Sequence, residues 1–129
     1  VWILRDASLV CRDLFQAKTP SHEAGVVLPE QGHEPYFTAL RTERSILAGD
    51  ARRDPRTSCF AEGYFAPLGI TALLDVPIWV RGDMVGVICH EHVGGVRVWD
   101  ADEERFASLL SGFLSLALER SARRASLLP

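Results

Sequence analysis

Asp75, His90 and His92 are the side chains whose chemistry could act together, because a carboxyl beside two imidazoles can pass a proton, hold a metal or orient a ligand. All three fall in one stretch, Leu73 to Val93 (LLDVPIWVRGDMVGVICHEHV). Two β-rich apolar runs there flank Gly82 and Asp83, and glycine first in a two-residue loop suits a type II′ hairpin. That loop predicts Asp75 opposite His90, Pro77 opposite Ile88 and Trp79 opposite Gly86. Period-two alternation then gives one aliphatic face of Leu74, Val76, Ile78, Val80, Val85, Val87 and Cys89, with Glu91 at its end. The other face carries Leu73, Asp75, Pro77, Trp79, Ile88, His90 and His92. It alone mixes titratable and aromatic groups, so it is the expected ligand site, roofed by Tyr36, Phe37 and the helix that carries Tyr64.

Each candidate also has a plainer reading. Asp75 and His90 as cross-strand neighbours are equally a buried ion pair that satisfies itself. His90 and His92 share a face, but Cys89 and Glu91 point away, so the run cannot close a tetrahedral metal site alone. Zinc would need His22 or His33 from a loop, and no metal is assigned. Trp79 and Trp99 read as stacking platforms or as core, and Arg97 as an anion partner or a solvated side chain. Glycine-rich phosphate loops, serine elbows and HExxH motifs do not occur, and Cys89 on an aliphatic face is an inert thiol. No catalytic residue is assigned.

The elements that position these residues follow from the rest of the chain. Its 129 residues, 47% hydrophobic, suffice for one domain with a real core. A net charge of −3 with scattered arginines lacks the basic stripe of a nucleic-acid footprint. Apolar runs stay well short of the roughly twenty residues of a membrane span, so no membrane contact is expected. Three cysteines, at 11, 59 and 89, without CxxC spacing favour a reducing, cytoplasmic setting. Val1 to Leu4 and Leu9 to Phe15 read as a hairpin, Gln16 to Pro35 as loop with a short strand at Gly25 to Leu28, and Glu34 to Leu40 as a helix with Pro35 in its first turn. A strand at Arg44 to Ala48, a helix from Phe60 to Leu68 closed by Gly69, and the hairpin follow. Asp100 and Glu103 form a capping box that opens a long helix. Its stripe of Phe106, Leu109, Leu110, Phe113, Leu116 and Ala117 is expected to cover the aliphatic face of the sheet. Leu114 and Leu118, among Ser111, Ser115 and Ser121, are left for a partner helix. The order describes an α+β, three-layer α/β/α domain.

Three groups of residues carry a family resemblance: Tyr64-Phe65 with Leu68 to Ile78; Gly82, Val85 to Val87 and Cys89 to Gly94; then Arg97, Trp99, Asp102-Glu103 and Phe106. Upstream, Pro35 to Phe37, Ala48 to Ala51 and Asp54 to Arg56 extend it. The sequence resembles the GAF domains of bacterial sensor histidine kinases. That resemblance implies a central antiparallel sheet of five or six strands with helices on both faces, a small-molecule pocket on one face and a homodimer through terminal helices on the other. It also implies a helix before the first strand, which the sequence from Val1 does not carry. The expected reading is a single sensory domain over 1–129, with 120–129 beginning a linker to an effector domain, a non-catalytic role, and a ligand and cofactor left unnamed. Gly86 to His90 with Arg97 and Trp99 is also similar to bilin-binding GAF domains of phytochromes and cyanobacteriochromes, where the chromophore cysteine would fall at Phe60, one residue after Cys59. A third alternative is the free methionine sulfoxide reductases, whose reactive cysteine would fall within Leu68 to Ala72.

Overall fold

In the computed structural model, which describes residues 1–126, eight strands and three α-helices form a layered α/β/α domain. A six-stranded sheet runs β5-β2-β1-β8-β7-β6, every pairing antiparallel. Its strands are β1 (Trp2–Arg5), β2 (Ser8–Cys11), β5 (Val27–Pro29), β6 (Ile46–Ala48), β7 (Ile70–Val80) and β8 (Asp83–Val93). A small ribbon of β3 (Leu14–Gln16) and β4 (Ser21–Glu23) stands apart from it. Helix α1 (Glu34–Thr42) and the segment from Ser58 to Leu68, which ends in α2 (Ala66–Leu68), cover one face. Helix α3 (Ala101–Ser126) covers the other. The expected linker over 120–129 begins inside this helix, and its residues 127–129 lie outside the described ones.

The central hairpin turns one residue earlier than its sequence suggests. Arg81 and Gly82, with φ of 53° and 84°, are the central pair between Val80 and Asp83. Two positive φ values belong to a type I′ turn, whose twist matches the flanking strands. A register irregularity between Ile78 and Trp79 leaves Val85 without a partner, and below it Ile78 faces Gly86, Val76 faces Ile88, Asp75 faces Cys89 and Leu74 faces His90. The expected pairing of Asp75 with His90 is therefore off by one, and a one-residue slip exchanges the faces of one strand relative to the other. Gly86 has a positional reason: a Cβ there would stand 2.2 Å from Trp2 O, so only glycine lets β1 lie against β8. Pro77, a residue that central strands avoid, lies where β6 has already ended at the Ile46–Asp75 pair, so no ladder bond is lost.

Helix α3 opens with the expected capping box. Asp100 Oδ1 accepts from the Glu103 N–H at 2.8 Å, and Glu103 Oε1 accepts from the Asp100 N–H at 3.1 Å. Its packing face differs from expectation. Ala107 and Ser111 are buried against Leu74, Val76 and Ile88, with Leu110 and Leu114 beside them. Ser111 Oγ donates to Pro77 O at 2.7 Å and Ser115 Oγ to Trp79 O at 2.5 Å, on the part of β7 that extends past the end of β6 and has β8 alone beside it. Phe106, Leu109, Phe113 and Leu116 are each at least 60% exposed, so most of the expected core stripe faces outward; Leu110 alone of its large residues packs on the sheet, and Leu114, expected to await a partner helix, packs there with it. Small residues win the sheet side because they let the helix axis approach two flat strands.

Candidate functional site

The main core lies between the sheet and α1, and a small cavity opens within it. Alternation along β7 and β8 brings Leu73, Asp75, Cys89 and Glu91 to this face. Trp2, Leu9 and Leu28 complete the floor, and Tyr36, Phe60, Tyr64 and Phe65 form the roof. Space for the centre of a water-sized sphere is about 10 Å3, roughly one water molecule.

Two tyrosine–carboxyl pairs dominate its polar character. Tyr36 Oη donates to Asp75 Oδ2 at 2.5 Å and lies 3.8 Å from Cys89 Sγ. Tyr64 Oη donates to Glu91 Oε1 at 3.1 Å. Asp75 is 2% exposed, and among the described residues no donor reaches its Oδ1. Burial pushes its pKa up from 3.8 to about 7, against the stabilising bond from Tyr36. Burial likewise raises Glu91, Tyr36 and Cys89, the last two further through the charge of Asp75. Perturbed groups gathered at one cavity are the usual mark of a functional site.

The roof is irregular. Phe60 ends a 3₁₀ turn (Ser58–Phe60), and a π-helical turn (Ala61–Phe65) follows before α2. Pro67 has no N–H for the carbonyl four residues back, so a uniform helix over Phe60 to Leu68 is not available, and Gly69 at φ 74° ends the segment. The widened turn aims Tyr64 at Glu91 and sets its ring edge-on to Trp2, centroids 6.0 Å apart. Phe60 sits at the centre, stacked on His33 at 4.4 Å and edge-on to Tyr36 at 5.0 Å. π-Helical turns occur most often at functional positions.

The sequence-derived site set divides between the two faces. Asp75, Tyr36 and Tyr64 meet at the cavity, and Phe37, fully buried, packs behind Tyr36 without lining it. Ile88 lies on the opposite face under α3. His90 shares that face, its Nδ1 3.1 Å from Leu74 O, which makes Nδ1 the donor; alternation puts His92 there too. Trp79 is 39% exposed at the hairpin tip. In their place the correct register supplies Cys89 and Glu91, and the earlier strands supply Trp2 and Leu9. His90 instead lines an open groove of about 320 Å3 beside Trp99, Asp100, Asp102, Glu103 and Phe106. Arg97 caps this side, its guanidinium 4.3 Å from the Trp99 ring and paired with Glu103. His22 bonds Asp13 and His33 bonds Pro29 O, so neither loop histidine approaches His90 and His92 as a third metal ligand.

The family model for the GAF domain matches residues 2–118, and the chain belongs to that family. Among solved structures, the GAF domain of a two-component sensor histidine kinase from Bacillus halodurans is 21% identical, with a TM-score of 0.67, 96% of this chain and 82% of that one covered. The blue-light absorbing form of the Thermosynechococcus elongatus PixJ GAF domain is 22% identical, TM-score 0.68, over 98% and 79%. The free methionine-R-sulfoxide reductase of Neisseria meningitidis, solved with its substrate, is 14% identical, TM-score 0.66, over 95% and 67%. No curated protein matches. These likenesses establish the fold, and the neighbours are of sensory and of enzymatic kinds. Among the described residues no helix is long and apolar enough to cross a membrane.

Proposed function

We propose that this GAF domain is a non-catalytic sensory module of a cytoplasmic signalling protein, a two-component sensor histidine kinase, which admits a small molecule at the Asp75 cavity and relays its presence through α3. The observation that carries the reading is the buried Asp75 with its free Oδ1 at a cavity roofed by an irregular turn. Burial raises the thiols of Cys59 and Cys89, which leaves both poor nucleophiles at neutral pH and favours binding over thiol chemistry. Helix α3 packs on the reverse of the strand that bears Asp75, so a ligand that shifts β7 biases α3 directly. The outward stripe of Phe106, Leu109, Phe113 and Leu116 repeats at three- and four-residue spacing, the pattern of a two-helix seam, and is assigned to a homodimer that continues towards an effector domain. Native mass spectrometry of the protein after exposure to a bacterial metabolite extract tests this. A small-molecule adduct that Asp75→Ala loses while keeping its circular dichroism spectrum is expected; no adduct, or equal adducts in both, refutes the reading.

A further inference from the structure

The residues that line the cavity include two carboxyl groups, Asp75 and Glu91, and no lysine, arginine or histidine. Every other titratable side chain around Asp75 is a weak acid, and the Cys89 thiol and the His90 backbone N–H, which favour its carboxylate, do not come within hydrogen-bond geometry of Oδ1. Tyr36 reaches it from α1, Tyr64 stands above it on the π-helical turn, and Cys89 and Glu91 lie beside it on β8. Tyr36 spends its single hydroxyl proton on Asp75 Oδ2 and Tyr64 spends its own on Glu91, which leaves Oδ1 of the ionised Asp75 as a buried acceptor at the cavity with no donor among the described residues in hydrogen-bond geometry.

A buried acceptor without a donor, next to a second carboxyl and apolar aromatic walls, defines what complements it. An anion would face two acids, and a plain hydrocarbon would leave Oδ1 unmet. A group with an N–H and a positive charge meets both needs, because charge-assisted hydrogen bonds are about twice as strong as neutral ones. Building on the pocket assigned above, we propose that this cavity selects a small organic cation, an alkylammonium or amidinium, whose N–H donates to Asp75 Oδ1 with Glu91 as the second carboxyl. The head group matches the water-sized space that is already present, and a short apolar tail would lie against the aromatic walls of Phe60 and Tyr64. The bound cation favours ionised Asp75, which by itself holds its proton up to about pH 7.

Three probes with one tail and three head groups test this: n-propylammonium, n-propanol and n-propionate, titrated into isotopically labelled protein while the backbone amides of Cys89 and His90 are followed by NMR. At about pH 8 the ammonium should bind about tenfold or more tightly than the alcohol, and the carboxylate most weakly. Its affinity should fall about tenfold from about pH 8 to about pH 6 as Asp75 regains its proton. Asp75→Asn, which preserves shape, should abolish the preference for the ammonium. Equal or tighter binding of the alcohol overturns the cation class and leaves the pocket reading intact. A preference undiminished in Asp75→Asn places the cation elsewhere and also overturns the proposal. No response of Cys89 and His90 to any probe overturns the ligand class and the pocket together.

Discussion

Replacing Asp75 by asparagine should stabilise the protein, and by an amount that grows with pH. The carboxyl is 2% exposed, and burial lifts its pKa from 3.8 to about 7. Between those values the folded chain binds its proton more tightly than the unfolded chain does, so stability is fullest at the acid end and falls as pH rises through about 7. From about pH 5 to about pH 8 the loss from this one group integrates to about 2–3 kcal/mol, because each pH unit over which only the folded chain keeps the proton costs about 1.4 kcal/mol. Asparagine keeps an oxygen for the Tyr36 hydroxyl and does not titrate, so it escapes the loss. Urea unfolding of both proteins, followed by tryptophan fluorescence at several pH values, gives the difference directly, since the distant titrating groups cancel. Dialysis free of organic amines is required, because a bound cation would favour the ionised form and flatten the curve. Glu91, raised in the same cavity, couples to Asp75 and broadens the transition without changing its sign. A difference that stays within about 0.5 kcal/mol across the range would show that Asp75 titrates normally. One that shrinks with rising pH would mean that a positive partner already stabilises the carboxylate.

Leu110→Ala, on the sheet side of α3, should cost about 1–3 kcal/mol, whereas Leu109→Ala should leave the monomer within about 0.5 kcal/mol; equal effects in urea titrations would misplace the helix face. Gly86→Ala should destabilise by about 3 kcal/mol, since a Cβ 2.2 Å from Trp2 O forces β1 away from β8; an unchanged melting temperature would contradict that contact. Phe113→Glu, in the middle of the outward stripe, should convert a dimer to monomer in sedimentation velocity without lowering the stability of the monomer. A wild-type protein that is monomeric at all accessible concentrations would remove the dimer from the proposal.

The sheet and the helices α1 and α3 are legible because β-branched runs, Pro35 in a first turn and the Asp100–Glu103 capping box each carry a local signal that tertiary packing does not override, whereas the expected helix over Phe60 to Leu68 is broken into a 3₁₀ and a π-helical turn before α2. The face of the site is not legible, and the reason is one residue long. Gly82 suits the first position of one two-residue turn or the second of another, and Arg81 at φ 53° is a poor advertisement for the second. Both faces of β8 carry apolar residues, so hydrophobic alternation could not decide between the registers. Asp75, Tyr36 and Tyr64 reach the cavity whatever the register of β8, whereas His90, Ile88 and His92 depend on that register; Trp79, on β7 with Asp75, is carried away by the irregularity after Ile78 and by its place near the hairpin tip. Helix α3 failed for a related reason. Its most apolar stripe reads from the sequence as the core face, yet a helix lying on two strands needs small residues at closest approach and hydroxyls for the carbonyls of Pro77 and Trp79. Ser111 and Ser115, four residues apart in the uncharged stretch from Phe106 to Leu118, are the signal that could have shown this.

The corrected register also bears on how a signal would travel. Leu74 and Asp75 are adjacent on β7 but face opposite layers, Leu74 touching the α3 layer and Asp75 the cavity. Strand backbones are stiff, so a change at Asp75 that moves β7 by a fraction of an ångström moves Leu74 and the Pro77 carbonyl with it. Ser111 and Ser115 fix α3 to that segment by hydrogen bonds that tolerate little sliding before they break. Disruption of one such bond at a buried carbonyl is worth about 1–3 kcal/mol, comparable to the coupling free energies by which ligands shift two-state equilibria. Ser111→Val should therefore separate the two halves of the proposed mechanism. It removes the buried one of the two tethers and leaves the cavity lining untouched, so ligand affinity should persist while any ligand-induced change in hydrogen exchange along α3 is weakened; an α3 response as large as in the wild type would mean that coupling runs by another route.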